Sequence, residues 1–402
     1  MNDKPPPEHW RCATTRCTLY GCQLTKKENI LMNDIRLTAR TRPYRSVPIF
    51  IVLPSARLVA TLFVATLLAM AFLPATAQAQ ARENASERDL PRGYYLLPER
   101  GSVIGQDESV VIEKGDTLVD LARQHNVGYE AMRMANPGVS IWAPRPGTEV
   151  TIPKRHILPD APREGIVVNL SELRLYYYSA ENIVETYPIS VGRDGFGTPV
   201  GETRTTVKVK DPHWSPPSSM REEAAARGDP PPSVVPPGPE NPLGKHAILL
   251  GLPSYLIHGT NKPEGVGMRV SRGCIRMYPE DIESLFERVP SGTPVNIIDQ
   301  PFKAGWSREG VLYAQSFPQL EENQASFEPL INALEVISTA FGEAEPPVDY
   351  AKVRRLVEAP DGAIVSLLRS AEEDTQRRED RPETWYDFLE ANARQGEAFE
   401  GV

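Results

Sequence analysis

His258 and Cys274 are the two residues of this chain whose types and spacing can do covalent chemistry. They bracket the stretch His258-Gly259-Thr260 … Ser271-Arg272-Gly273-Cys274-Ile275-Arg276. A thiolate is a strong nucleophile, and a nearby imidazole is the usual acceptor of the thiol proton. Gly259 and Gly273 allow backbone to approach a substrate closely at each end of the pair. A lone cysteine is more often a small buried apolar residue. Here the flanking glycines and polar residues argue against that reading.

The other three cysteines, Cys12, Cys17 and Cys22, are spaced C-x4-C-x4-C. No histidine completes that array and the spacing is not that of common zinc modules, so no metal and no cofactor is expected. They also precede an apolar run, residues 58–73, with arginines at 36, 40, 42, 45 and 57 in front of it. Pro74-Ala75-Thr76-Ala77-Gln78-Ala79 follows, with small-residue cleavage positions after Ala77 or Ala79. That is the pattern of a secretory signal. A retained anchor is the alternative, but the run falls short of the roughly 20 residues that span a bilayer. The expected export region is 1–79, with Met32 as an alternative start. Cleavage leaves Cys274 as the single thiol, unpaired in an oxidising compartment.

Residues 1–79 hold ten basic and four acidic side chains, so the remainder carries a net charge of −15. No basic groove is visible, which excludes nucleic acid as a partner.

The elements that must position the pair are mostly strands. Residues 82–105 read as a linker or a first strand. Val110-Val111-Ile112 is strand-like, Thr117 caps a helix with Leu118, Leu121 and Ala122 at helical spacing, and a second helix runs from Tyr129 to Asn136. Thr148 to Pro153 is another strand. From 164 to 300, Gly165–Leu170, Arg174–Tyr178, Val184–Val191 and Thr205–Lys210 alternate with period two, indicating a sandwich or barrel-like sheet. A proline-rich insertion around 214–239 holds a short helix near Arg221 to Arg227 and reads equally as a lid or a disordered loop. Ala247–Leu250 and Tyr255–Ile257 deliver the chain to His258, and a helix follows at Pro279–Val289. Past 300 the sequence is acidic and helical, with runs at 327–341, 350–357 and 364–368.

Strand, helix, helix, strand over 108–154 resembles a LysM module. The resemblance rests on Lys114-Gly115-Asp116-Thr117-Leu118, Met134-Ala135-Asn136-Pro137 and Pro146-Gly147-Thr148. It implies binding to the N-acetylglucosamine-containing glycan of peptidoglycan; a generic α+β spacer is the bland alternative. The 164–300 block resembles the L,D-transpeptidase (YkuD-like) catalytic domain. This rests on His258, Ser271-Arg272-Gly273-Cys274-Ile275-Arg276, Pro188–Gly192, Thr198–Gly201 and Asn241–Gly244. The order LysM then catalytic domain is similar to a periplasmic subgroup of Gram-negative bacteria. The implied fold is multidomain and mainly β: a small βααβ LysM module, a β-sandwich-like catalytic domain and a helical C-terminal extension at 301–402.

The resemblance implies a cysteine acyltransferase acting on peptidoglycan stem tetrapeptides. Cys274 would be the nucleophile, with a pKa lowered by His258 and Arg276, and His258 the general base. The Gly259 carbonyl would orient the imidazole. Ser271, Arg272, Gly273 and Arg276 are expected at the substrate, with backbone N–H groups around Gly273 and Cys274 receiving the oxyanion. Arg272 stands where many family members have histidine. The acceptor amine is either a diaminopimelate side chain or the lysine of an outer-membrane lipoprotein. A cysteine hydrolase and a non-catalytic wall-binding protein are the competing readings.

Overall fold

The computed structural model describes residues 90–180, 182–229, 232–320, 328–341 and 347–369. The export region, Cys12, Cys17, Cys22 and the charged tail from Glu372 lie outside them. Two short strands come first, β1 (Tyr94–Leu96) and β2 (Val103–Ile104). The next four elements are β3 (Glu108–Val111), α1 (Leu118–Gln124), α2 (Tyr129–Ala135) and β4 (Glu149–Ile152), the expected βααβ order. Thr117 Oγ1 accepts from the Asp120 N–H at 3.0 Å and caps α1. Leu118, Leu121 and Ala122 recur at helical spacing, and so pack with Ile112, Val127 and Met132 into this module's own core. Asn136 joins α2 to β4, donating to Thr151 O at 2.8 Å and accepting from Thr151 N at 2.7 Å.

β5 (His156–Ile157) pairs with β2 and leads into the large sheet. Its strands are β1, which pairs with β8, and β6 (Gly165–Asn169), β7 (Arg174–Ala180), β8 (Ile183–Gly192), β9 (Gly201–Lys210), β10 (His246–Leu250), β11 (Leu256–His258), β12 (Arg269–Ser271), β13 (Ile275–Met277) and β14 (Pro294–Ile298). In space they run β8-β13-β11-β10-β9-β14-β6-β7, and β7 pairs back onto β8, so the sheet closes on itself. Ile166, Val168, Leu175, Ile189, Ile257 and Ile275 fill one side. The alternate residues Val167, Tyr176 and Tyr178 meet Tyr95, Ile104 and Leu158 on the other. Because β6 and β7 are buried on both faces, they read as nearly continuous apolar runs.

Helix α3 (Ser218–Ala226) lies in the proline-rich insertion between β9 and β10. The insertion is tied together: Trp214 and Val235 exchange backbone hydrogen bonds of 2.9 and 2.8 Å. Buried Asn241 donates to the carbonyls of Pro212 at 2.8 Å and Pro236 at 3.1 Å. Helix α4 (Pro279–Arg288) follows β13 with Pro279, Glu280 and Asp281 in its first turn, where a missing N–H and negative charge suit the helix start. Its Ile282 and Leu285 join the barrel core.

The C-terminal extension contains the expected helices, α5 (Pro329–Phe341) and α6 (Tyr350–Glu358). It also contains a three-stranded sheet: β15 (Phe302–Trp306), β16 (Leu312–Ser316) and β17 (Ile364–Ser366). The run at 364–368, read as another amphipathic segment, is therefore a strand at its start. Lys303, Gly305 and Gln315 interrupt the apolar pattern of β15 and β16, which hid them. Phe302, Leu312, Ala333, Ile337 and Val353 form a separate core there.

Candidate active site

β11 and β13 run parallel, with Ile257 opposite Ile275 and His258 opposite Arg276. Both isoleucines are in the barrel core. Side chains alternate across a strand, so His258, Cys274 (one residue before β13) and Arg276 share the opposite face. The loop 259–270 folds out and returns, placing the two candidate reacting residues on neighbouring strands.

Cys274 sits in a turn that is locked from within. Ser271 is buried; its Oγ donates to Cys274 O at 2.6 Å and accepts from Gly273 N at 3.1 Å. Thr198 Oγ1 donates to Gly273 O at 2.8 Å and accepts from Gly192 N at 3.1 Å. Gly273 has φ +98°, and a Cβ there would lie 2.7 Å from the Tyr255 ring. Only glycine takes that backbone without strain. These bonds revise two expectations. The Ser271 hydroxyl holds the turn instead of facing a substrate, and the Gly273 N–H is already used, leaving Cys274's own N–H as the oxyanion donor to consider. The Cys274 thiol is half-buried and donates to Ser254 O at 3.5 Å, a long sulfur bond. Ser254 itself has φ +70°, uncommon for a residue with a side chain.

Electrostatics give both residues neutral forms. His258 is buried, and its pKa falls to about 3, chiefly through burial and then through Arg276, against the pull of the Gly259 and Leu243 carbonyls. Its Nδ1 is buried without a hydrogen bond of good geometry. The Gly259 carbonyl expected at the ring is thus joined by Leu243, from a segment whose role the sequence did not signal. Burial raises the Cys274 thiol, opposed by the Leu256 backbone and by Arg276. The sequence expectation was the reverse, an acidified thiol. It counted the neighbouring positive groups but not the loss of water, and the neutral His258 supplies no charge. Burial lowers Arg276, and the group opposing that fall is Cys274. Its Nε is buried with no hydrogen-bond partner.

Arg272 points elsewhere. Its guanidinium donates to Ser219 Oγ at 3.1 Å, pairs with Glu223, and lies 4.4 Å over the Phe196 ring. It fastens α3 of the insertion beside the cysteine turn. Gly259 donates to His246 O at 3.1 Å, and a Cβ on it would press on Ile282 Cγ2 at 3.2 Å and Leu243 O at 3.3 Å. Ser254, Leu243 and Thr198 were not singled out by sequence reasoning as individual residues. Leu243 and Thr198 lie in segments that carried the resemblance, so they were within reach of it.

Over residues 163–297 the chain matches the L,D-transpeptidase catalytic domain, and over 110–153 the LysM domain. It is 40% identical over 282 residues to the probable L,D-transpeptidase YbiS of Escherichia coli strain K12, covering 68% of this chain and 91% of that one. It is 45% identical over 235 residues to the probable L,D-transpeptidase YcfS of the same strain, covering 57% and 73%. The crystal structure of L,D-transpeptidase 3 from Mycobacterium tuberculosis is similar at 17% identity and a TM-score of 0.26, covering 51% of this chain and 97% of that one.

Proposed function

The chain belongs to the L,D-transpeptidase family and is an enzyme of that kind, and on this premise we propose that it transfers peptidoglycan stem peptides through a thioester on Cys274. The observation that carries the proposal is the shared face of β11 and β13, where a neutral imidazole, a protonated thiol and a positive charge stand together. The S–H turns from the Ser254 carbonyl to His258, which takes the proton as sulfur attacks the carbonyl carbon of the third stem residue. The new C–S bond pushes charge onto the carbonyl oxygen, where the Cys274 N–H is a candidate donor. The intermediate collapses, the bond to D-alanine breaks, and the imidazolium returns its proton to the leaving amine. An acceptor amine then attacks the thioester; its C–N bond forms, the C–S bond breaks, and sulfur recovers a proton.

Neutrality of the resting pair suits this scheme, because the proton is transferred during attack. Arg276 is our candidate for the substrate carboxylate, since its buried Nε lacks a hydrogen-bond partner. The LysM match supports a peptidoglycan glycan as the second contact. Export to the periplasm accords with the segment at 58–79. The acceptor is a diaminopimelate amine or a lipoprotein lysine. Mass spectrometry of the full chain incubated with a soluble stem tetrapeptide tests the reading. A tripeptidyl adduct on Cys274, with D-alanine and a cross-linked dimer, is expected. Free tripeptide with no dimer would sink the transferase assignment; an adduct on another residue would sink the nucleophile.

A further inference from the structure

The loop between His258 and Cys274 is held from outside the barrel. The first N–H groups of a helix have no acceptor within the helix. Those of α2 in the LysM module find theirs in this loop: Tyr129 N donates to Val266 O at 2.9 Å and Glu130 N to Gly267 O at 3.2 Å. The helix has no side-chain cap, because its N-cap residue is Gly128. That glycine is demanded by the contact: a Cβ on Gly128 would stand 2.8 Å from Gly267 Cα, and one on Gly267 would stand 2.3 Å from Tyr129 N. Carbonyls of the loop between His258 and Cys274 therefore stand in for the missing side-chain cap of a LysM helix.

The modules are clamped around this contact. Arg123 makes paired bonds to Glu280 of 2.9 and 2.8 Å, and Tyr278 donates to Val127 O at 3.1 Å. On its barrel side the loop is fixed by Ser190, whose Oγ donates to Gly265 O at 2.7 Å. Two residues beyond Gly267, Arg269 donates to Gln319 O at 3.1 Å and Pro318 O at 2.9 Å.

We propose that the LysM module is a positioning element of the catalytic centre: the α2 N-terminus holds the Val266–Gly267 segment and so sets the placement of His258 relative to Cys274. This rests on the reading of His258 and Cys274 as the reacting pair. A module that only binds glycan has no influence on a substrate without glycan, whereas a positioning module does.

The test uses the full chain and a soluble, glycan-free stem tetrapeptide. Tyr129→Pro deletes the N–H that bonds Val266, while proline is well tolerated at the first position of a helix. Tyr129→Ala is its control, losing the same ring but keeping the N–H. Tyr129→Pro is expected to show a kcat about tenfold below Tyr129→Ala, with KM within about twofold and a melting temperature lower by no more than about 4 °C. Gly128→Ala is the second variant. Its φ of −85° suits alanine, so the substitution acts through the new Cβ, which meets Gly267 Cα most closely, at 2.8 Å, and Pro188 Cβ at 3.3 Å; kcat is again expected to fall. Equal kcat for Tyr129→Pro and Tyr129→Ala, with Gly128→Ala at the wild-type rate, overturns the inference. Turnover that survives Cys274→Ala overturns the parent reading, and this inference with it.

Discussion

Two regions of this protein bury ionisable groups side by side, and they treat them differently. Where β5, β7 and β15 meet, Glu172 and Lys303 are both almost fully buried and pair at 2.7 Å. Glu172 also accepts from Tyr176 Oη at 2.7 Å and Asn169 Nδ2 at 3.2 Å, and Lys303 donates to Ile157 O at 2.5 Å. His156 stands 3.9 Å from Glu172, its pKa held well below the usual histidine value by burial and nearby cations. On the His258 face, by contrast, Arg276 Nε has no hydrogen bond, His258 Nδ1 has none of good geometry, and the thiol has one long contact. Buried polar groups left unsatisfied cost free energy. The first region has nearly met that cost, leaving His156 Nε2 over. The second leaves it open at the position where a substrate carboxylate and carbonyl would supply partners.

The comparison breaks most sharply at its two central residues. Cys274→Ala is expected to lower turnover of a stem tetrapeptide by on the order of 10⁴-fold or more, as removal of a nucleophile does. Unfolding free energy should move by less than about 1 kcal/mol, because the thiol makes one weak contact. Glu172→Gln should do the opposite. It strands the buried Lys303 ammonium, and breaking a buried pair from one side costs about 3–5 kcal/mol. Chemical denaturation should show that loss, while turnover per folded molecule stays within about twofold. Adding Lys303→Met should recover part of the stability. If Glu172→Gln instead lowers turnover with stability intact, the division between the two regions fails.

How much of this was legible in the sequence follows from the range of the interactions. Leu118, Leu121 and Ala122 display helical period, Val184 to Val191 displays strand character, and both elements formed as read. His258 and Cys274 were visible because their types are rare and their glycine neighbours distinctive. The bonds that consume Ser271 and Gly273 were not, since a hydroxyl can face a substrate or its own turn with identical local sequence. The raised thiol was missed because desolvation depends on burial by distant strands, which no spacing encodes. Gly128 and Gly267 make one contact from positions 139 apart; each alone reads as an ordinary turn glycine. Nothing local to Lys303 signals burial; β15 places it against Glu172.

The smallest expected effect sharpens the comparison through pH. A thiolate–imidazolium pair would alkylate at a rate that levels off below neutrality. Here His258 titrates near 3 and the thiol lies above its ordinary range, so the pair stays neutral through the whole interval between. Iodoacetamide modification of Cys274 should therefore climb with pH past the usual cysteine range, with no inflection between pH 6 and 7. A plateau reached by about pH 6 would show that an ion pair forms after all. His156 and His258 act on stability with one sign. Each is held neutral when folded and takes up a proton below about pH 6.5 when unfolded. Stability should thus fall as pH drops from about 6.5 toward 3, with His156 and His258 both contributing. Replacing His156 by glutamine should flatten that decline and leave the alkylation profile unmoved, because His156 stands beside Glu172 and does not touch the thiol.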